Sequence, residues 1–176
     1  MNFQFLLEKL TFSDEFINFK KSNQDMYLCS GFFIFDYESN FKNNKYTLDF
    51  YVPSTKNLIS FELEDGIKFV PLDNYNEEVP GILNDNLDFD FEKLKNLILK
   101  EIEIRKINNK VQKMIFSLQK NKDGIFLLGT IFVSNLGLIK ITIEIKTTSQ
   151  ENSQFDLEII DFEKKSFFDM LKIFKK

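Results

Sequence analysis

The chain has no histidine, no tryptophan and no alanine, a single cysteine, and a single arginine, Arg105, among its 176 residues. Each shortage closes a route. Without imidazole there is no His general base, no Cys–His or Ser–His pair and no His metal ligand. With one guanidinium, bidentate grips on phosphate or guanine are almost unavailable. A net charge of −4 supplies no global field to draw in a polyanion, so no nucleic-acid partner is expected. Cys29 has no second thiol for an intrachain disulfide. It sits in the apolar run YLCSGFFIF and reads as a buried thiol that nothing activates. No Gly-rich loop has the Walker or dinucleotide spacing. No apolar run reaches the ~18 residues of a spanning helix, so no integral membrane segment is expected. The first residues, MNFQFLLEKL, lack the basic region, long apolar core and cleavage site of a signal peptide, which makes the cytoplasm the expected location.

What is abundant is Phe, with 22 residues, beside Lys, Asn and Ile. All four have AT-rich codons, so the excess reads as genomic base composition and not as a cofactor box. The length suits one compact domain or two small subdomains sharing an interface.

Periodicity divides the chain. NFQFLLEKLTFSDEFINFKKSN is helical, either two short helices or one with a joint near Thr11. Ser13 reads as an N-cap followed by Asp14 and Glu15, with Phe12 and Ile17 at hydrophobic-staple spacing. DMYLCSGFFIFDYES follows as a strand apolar on both faces, with Leu28, Phe32 and Ile34 on one and Cys29, Phe33 and Phe35 on the other; such a strand belongs inside a sheet. Gly31 marks a bulge or a close approach. Tyr46 to Leu63, YTLDFYVPSTKNLISFEL, is a hairpin apolar on one face, with Pro53 ending the pairing and Asn57 suited to a left-handed turn. Residues 71–87 hold two of the three prolines and read as a linker. Phe91, Leu94, Ile98 and Ile102 then recur at helical spacing, capped by Asp88 or Asp90 and ended near Asn108–Asn109. VQKMIFSLQ, a turn at Asp123–Gly124, the doubly apolar IFLLGTIFVS, a turn at Asn135–Gly137, and a second one-faced hairpin at Leu138–Ile160 follow. SFFDMLKIFKK reads as a closing helix. The expected fold is α+β: two α-βββ units with antiparallel sheets, residues 1–80 and 81–176, helices packed on one face, and a C-terminal helix.

The hairpins carry a resemblance. DFYVPSTKNLISFEL resembles the PepSY pattern, in which a strand ends in a turn of the form D-x-x-T-G-x and a second strand returns. Ser54, Thr55, Lys56 and Asn57 occupy that turn, followed by Leu58–Ile59. IEIKTTSQENSQFDLEI matches the strands with a longer turn, and the usual tip Gly is missing from both. The outline is similar to tandem PepSY-like proteins over most of the chain. The resemblance implies a cystatin-like fold and a binding or inhibitory module associated with peptidases, with no active-site residues to carry over.

The remaining candidates are weak as chemistry. Asp85, Asp88, Asp90 and Glu92 suggest a calcium loop, but an EF-hand counted from Asp85 needs glycine at its sixth position and glutamate at its twelfth, where Asp90 and Asn96 stand. Capping explains the cluster better. Glu62 with Glu64, and Asp156 with Glu158, share strand faces, but alternation with buried residues already demands polar groups there. No catalytic residue, cofactor or metal is expected, and the chain does not read as an enzyme. On the closing helix Phe167, Met170, Ile173 and Phe174 form an apolar face that either packs on the sheet or docks a partner. The expected function is a protein- or peptide-binding module, with homodimer pairing open to any exposed edge strand. The alternative is a carrier of a small apolar ligand in a pocket between helix and sheet.

Overall fold

The computed structural model describes residues 1–73, 79–135, 137–147 and 155–166. Among them run α1 (Phe3–Thr11), α2 (Asp14–Ser22), β1 (Tyr27–Asp36), β2 (Lys45–Val52), β3 (Asn57–Glu62), β4 (Lys68–Leu72), α3 (Phe91–Ile104), β5 (Val111–Lys120), β6 (Ile125–Val133), β7 (Gly137–Thr147) and β8 (Phe155–Ser166). The fold is α+β. Its eight strands make one antiparallel sheet in the order β4-β3-β2-β1-β5-β6-β7-β8. The chain steps outward from β1 to β4, returns, and steps outward on the other side from β5 to β8.

The N-terminal segment breaks into two helices at Ser13, whose hydroxyl accepts the Phe16 N–H at 3.2 Å. The staple is not made. Phe12 keeps helical backbone as the C-cap of α1, which turns its side chain away from the Leu6–Leu10 stripe and leaves it 80% exposed. Helix α3 buries Phe91, Leu94, Ile98 and Ile102. It stops at Ile104, short of Asn108, because Lys106 takes a left-handed φ of 56°. In the β2–β3 turn it is Lys56, not Asn57, that goes left-handed, with φ 57°, and Asn57 opens β3.

Strand β1 departs from simple alternation. Its register with β2 shifts between Leu28 and Ser30, so Cys29 is the extra residue of a bulge. The bulge moves Leu28 onto the face that carries Phe33 and Phe35, where β2 places Phe50 opposite it. Gly31 is not the bulge. It is a close approach, because a Cβ there would come within 2.8 Å of the Phe33 ring. Gly129 in β6 is tighter, since a Cβ would meet Ile141 at 2.4 Å and Phe116 at 2.6 Å.

One sheet face is dry. Phe33, Phe35, Leu48, Phe61, Phe116, Ile131 and Ile143 are buried on it, and helix side chains reach it as interlocked rings. Phe16 meets Phe50 at 5.1 Å and Phe61 at 5.3 Å. Phe91 meets Phe33 at 5.0 Å and Phe35 at 5.6 Å. At its other end α3 brings Arg105 over Phe162 of β8, 4.3 Å from the ring centre, so this helix spans strands from both ends of the chain.

Two further expectations change. The linker begins inside β4, which holds Pro71 and Leu72. Its later part is fixed, since Leu83 donates its N–H to the Leu28 carbonyl at 2.9 Å and both Leu83 and Leu87 are buried. At the C-terminus, β8 runs past Ile160 to Ser166, so the first residue of the expected closing helix is a strand residue paired with Gly137 of β7. The rest of the expected closing helix, including Phe167, Met170, Ile173 and Phe174, lies outside the described residues.

Candidate interaction surfaces

Two members of the acidic cluster, Asp88 and Asp90, cap helices. Asp90 accepts the N–H groups of Glu92 at 2.7 Å and Lys93 at 2.9 Å at the start of α3, and faces the terminal ammonium at 3.6 Å. The Lys93 N–H first, then the Glu92 N–H and the ammonium, hold its carboxyl below the usual range. Asp88 serves α1, accepting from the Asn2 amide at 2.9 Å and the Gln4 N–H at 3.1 Å. Backbone bonds from Phe3 N–H to Phe89 and from Phe91 N–H to Met1 fasten the two helix starts together. The carboxylate pairs are also occupied or open to water: Glu64 accepts the Tyr46 N–H, Glu158 pairs with Lys146, and Glu62 and Asp156 are exposed.

Cys29 is buried, with its sulfur 3.2 Å from the Asp49 carbonyl, and burial pushes its thiol up to about 12. It is therefore held as a neutral thiol. Among the described residues no helix is long and apolar enough to cross a membrane.

Several concave surfaces open among the described residues. One is a groove of about 810 Å³ between α3 and the start of β8. Phe89, Lys93 and Leu97 form one wall, Phe155 and Leu157 the other, and Asp88 and Asp90 stand beside them. A cleft of about 360 Å³ lies where α1 and α2 meet the start of β1, over Leu7, Phe16, Leu28 and Phe50. The Gln4 side-chain oxygen at this cleft is buried with no hydrogen-bond partner. Another, about 290 Å³, lies on the sheet face away from the helices and is lined by Phe126, Leu128, Thr142 and Ile160. That face carries apolar side chains in water: Phe32 is 36% exposed, Phe132 38%, Leu128 43% and Ile160 50%.

The two sheet edges differ in their backbone. In an antiparallel ladder each residue points both its N–H and its C=O to the same side, and successive residues alternate. The Leu63 N–H bonds to the Tyr46 carbonyl, so odd residues of β3 point to β2 and even residues to β4. In β4, therefore, Lys68, Val70 and Leu72 point inward, while Phe69 and Pro71 point out. Proline has no N–H, so this strand offers one outward donor, that of Phe69. On the other side, bonds from Asn121 to Gly124 and from Ser134 to Lys110 set even residues of β6 toward β5. Odd residues of β6 and β7 then pair, and even residues of β7 point to β8. Leu157, Ile159, Phe162 and Lys164 of β8 are left with their N–H and C=O groups pointing away from the sheet.

Sequence reasoning missed the groove because its walls come from residues 1–2, 88–97 and 155–157, distant in the chain. The alternation in β8 was the one available signal.

No protein-family model matches the chain, and no curated protein matches it. Among solved structures it is similar to a "putative lipoprotein" from Clostridium difficile 630, with 17% identity over 86% of this chain and 91% of that one and a TM-score of 0.45. That likeness carries no argument about this chain.

Proposed function

We propose that the chain is a non-catalytic module that binds a protein or peptide partner. The observation that carries this reading is a contrast in packing. The dry face is filled by interlocked rings, whereas apolar side chains on the opposite face, Phe32, Leu128, Phe132 and Ile160, stand in water. Unfilled apolar surface beside a filled core is the signature of a contact surface. The PepSY resemblance makes a peptidase the partner class, and with it we read residues 1–80 and 81–176 as two repeated units whose first strands, β1 and β5, join them into one sheet.

A second reading has its own support. The cleft over Leu7, Phe16, Leu28 and Phe50, with the unpartnered Gln4 oxygen, fits a small apolar ligand carrying one hydrogen-bond donor. Native mass spectrometry of the protein purified from its own cell separates the two. The binding-module reading expects a polypeptide partner in defined stoichiometry. A bound small molecule of fixed mass, with no polypeptide, overturns it in favour of the carrier.

A further inference from the structure

We propose that the outer edge of β8 and the groove beside it take an extended peptide as a ninth strand, with apolar side chains on one face of that peptide and basic ones on the other. The proposal rests on the binding-module reading and adds its site and ligand class. Three observations converge. The N–H and C=O groups of Leu157, Ile159, Phe162 and Lys164 point outward, and among the described residues no backbone group pairs with them. Unpaired edge groups of this kind are met by another strand. A residue of the incoming strand bonded to Leu157 or Ile159 places its side chain on the helix side of the sheet, the side on which Phe155, Leu157 and Leu97 line the groove. The groove thus supplies an apolar seat for alternate residues.

The other alternate residues fall beside an acidic row. Asp156, Glu158, Asp161 and Glu163 project from β8 on the face away from the helices. Lys146 pairs with Glu158 and Lys165 with Glu163. Among the described residues Asp156 and Asp161 have no ion pair, so two negative charges remain for lysine or arginine of the ligand. The same row argues against a second copy of this chain as the strand. Antiparallel self-pairing lays acids against acids on one face, which is destabilising.

The test uses the full chain and short labelled synthetic peptides that alternate isoleucine with lysine, followed by fluorescence anisotropy. Saturable binding is expected. Methylating the peptide nitrogens that face β8 removes its donors and leaves its side chains, and should weaken binding about tenfold for two lost bonds. Replacing lysine by glutamate should abolish binding to the natural chain and restore it with Asp156→Lys/Asp161→Lys, two exposed positions. Equal binding of the methylated peptide overturns strand addition. Absence of peptide binding in a protein shown to hold a polypeptide partner also overturns this site, with the binding-module reading intact. A concentration-dependent dimer that excludes the peptide overturns it in favour of self-pairing. If neither peptide nor polypeptide binds and a small apolar molecule does, both readings fall together.

Discussion

Phe32 and Phe33 are neighbours in the chain and opposites in the fold. Phe33 is fully buried between Phe3, Phe89 and Phe91, while Phe32 lies on the far side of the same strand with 36% of its surface in water. The same contrast runs across the sheet, from the buried Ile131 to its exposed neighbour Phe132. Both faces are apolar in sequence, but only one is used for folding. What separates them is the helices, whose rings fill one face and leave the other as surface available for something else.

The largest expected effect is on that difference. Phe33→Ala should cost about 3–5 kcal/mol, the usual range for emptying a ring-sized site in a core. Phe32→Ala should cost no more than about 1 kcal/mol, since it removes a side chain that is already 36% exposed on the unroofed face. Urea unfolding measures both. Equal losses would break the comparison, because they would mean that the far face is also packed.

A middle-sized effect sharpens it from the helix side. The dry face depends on helix starts held by carboxylates, and Asp90→Ala should remove about 1 kcal/mol, the typical worth of an N-cap. Its pH dependence has a definite sign. Backbone N–H groups depress the folded values of Asp90, chiefly that of Lys93, and of Asp36, chiefly that of Ser39. Both groups then contribute stability that is present above the unfolded value of about 3.9 and is lost as pH falls through their lower folded values. The unfolding midpoint of the natural chain should therefore drop on acidification through that window, and the drop should be smaller in Asp90→Ala. An unchanged acid limb in the variant would detach Asp90 from the stability of the helix layer.

Much of the fold was legible because burial follows period. The apolar repeats of α3 and the odd-numbered isoleucines of β7 name their buried faces directly. The capping role of Asp90 was legible for a chemical reason, since a carboxylate just ahead of a helical repeat meets its free N–H groups. Failures came where one residue breaks the count. The bulge at Cys29 swaps the face of Leu28, and no composition rule announces it. Strand β4 was hidden by Pro71, which reads as a loop signal unless its missing donor points off the sheet edge. The bordering groove could not be read at all, because its walls meet only after the sheet has formed. Even so, its chemistry was partly written in β8, where apolar Phe155, Leu157 and Ile159 alternate with Asp156 and Glu158.

The smallest expected effect concerns the two edges, and it tests whether their difference is functional. β4 is five residues long and presents one outward N–H; β8 is twelve long and presents the outward pairs of Leu157, Ile159, Phe162 and Lys164. Pro71→Val returns the missing donor to β4 and puts a strand-favouring side chain there, so stability should move by no more than about 1 kcal/mol. Association should change more than stability. With Phe69, Val70 and Leu72 exposed, an unblocked β4 becomes an apolar edge with little charge, the kind that pairs with copies of itself. Sedimentation should therefore find Pro71→Val self-associating at concentrations where the natural chain does not. Lys164→Pro, which deletes one outward donor from β8, should leave the sedimentation of the free protein unchanged, because the acidic row already keeps that edge from meeting itself. If Pro71→Val sediments as the natural chain does, proline is not what keeps β4 solitary. The missing donor would then not be what separates the two edges, and the case for β8 as the receptive one would rest on its length, its acids and its groove.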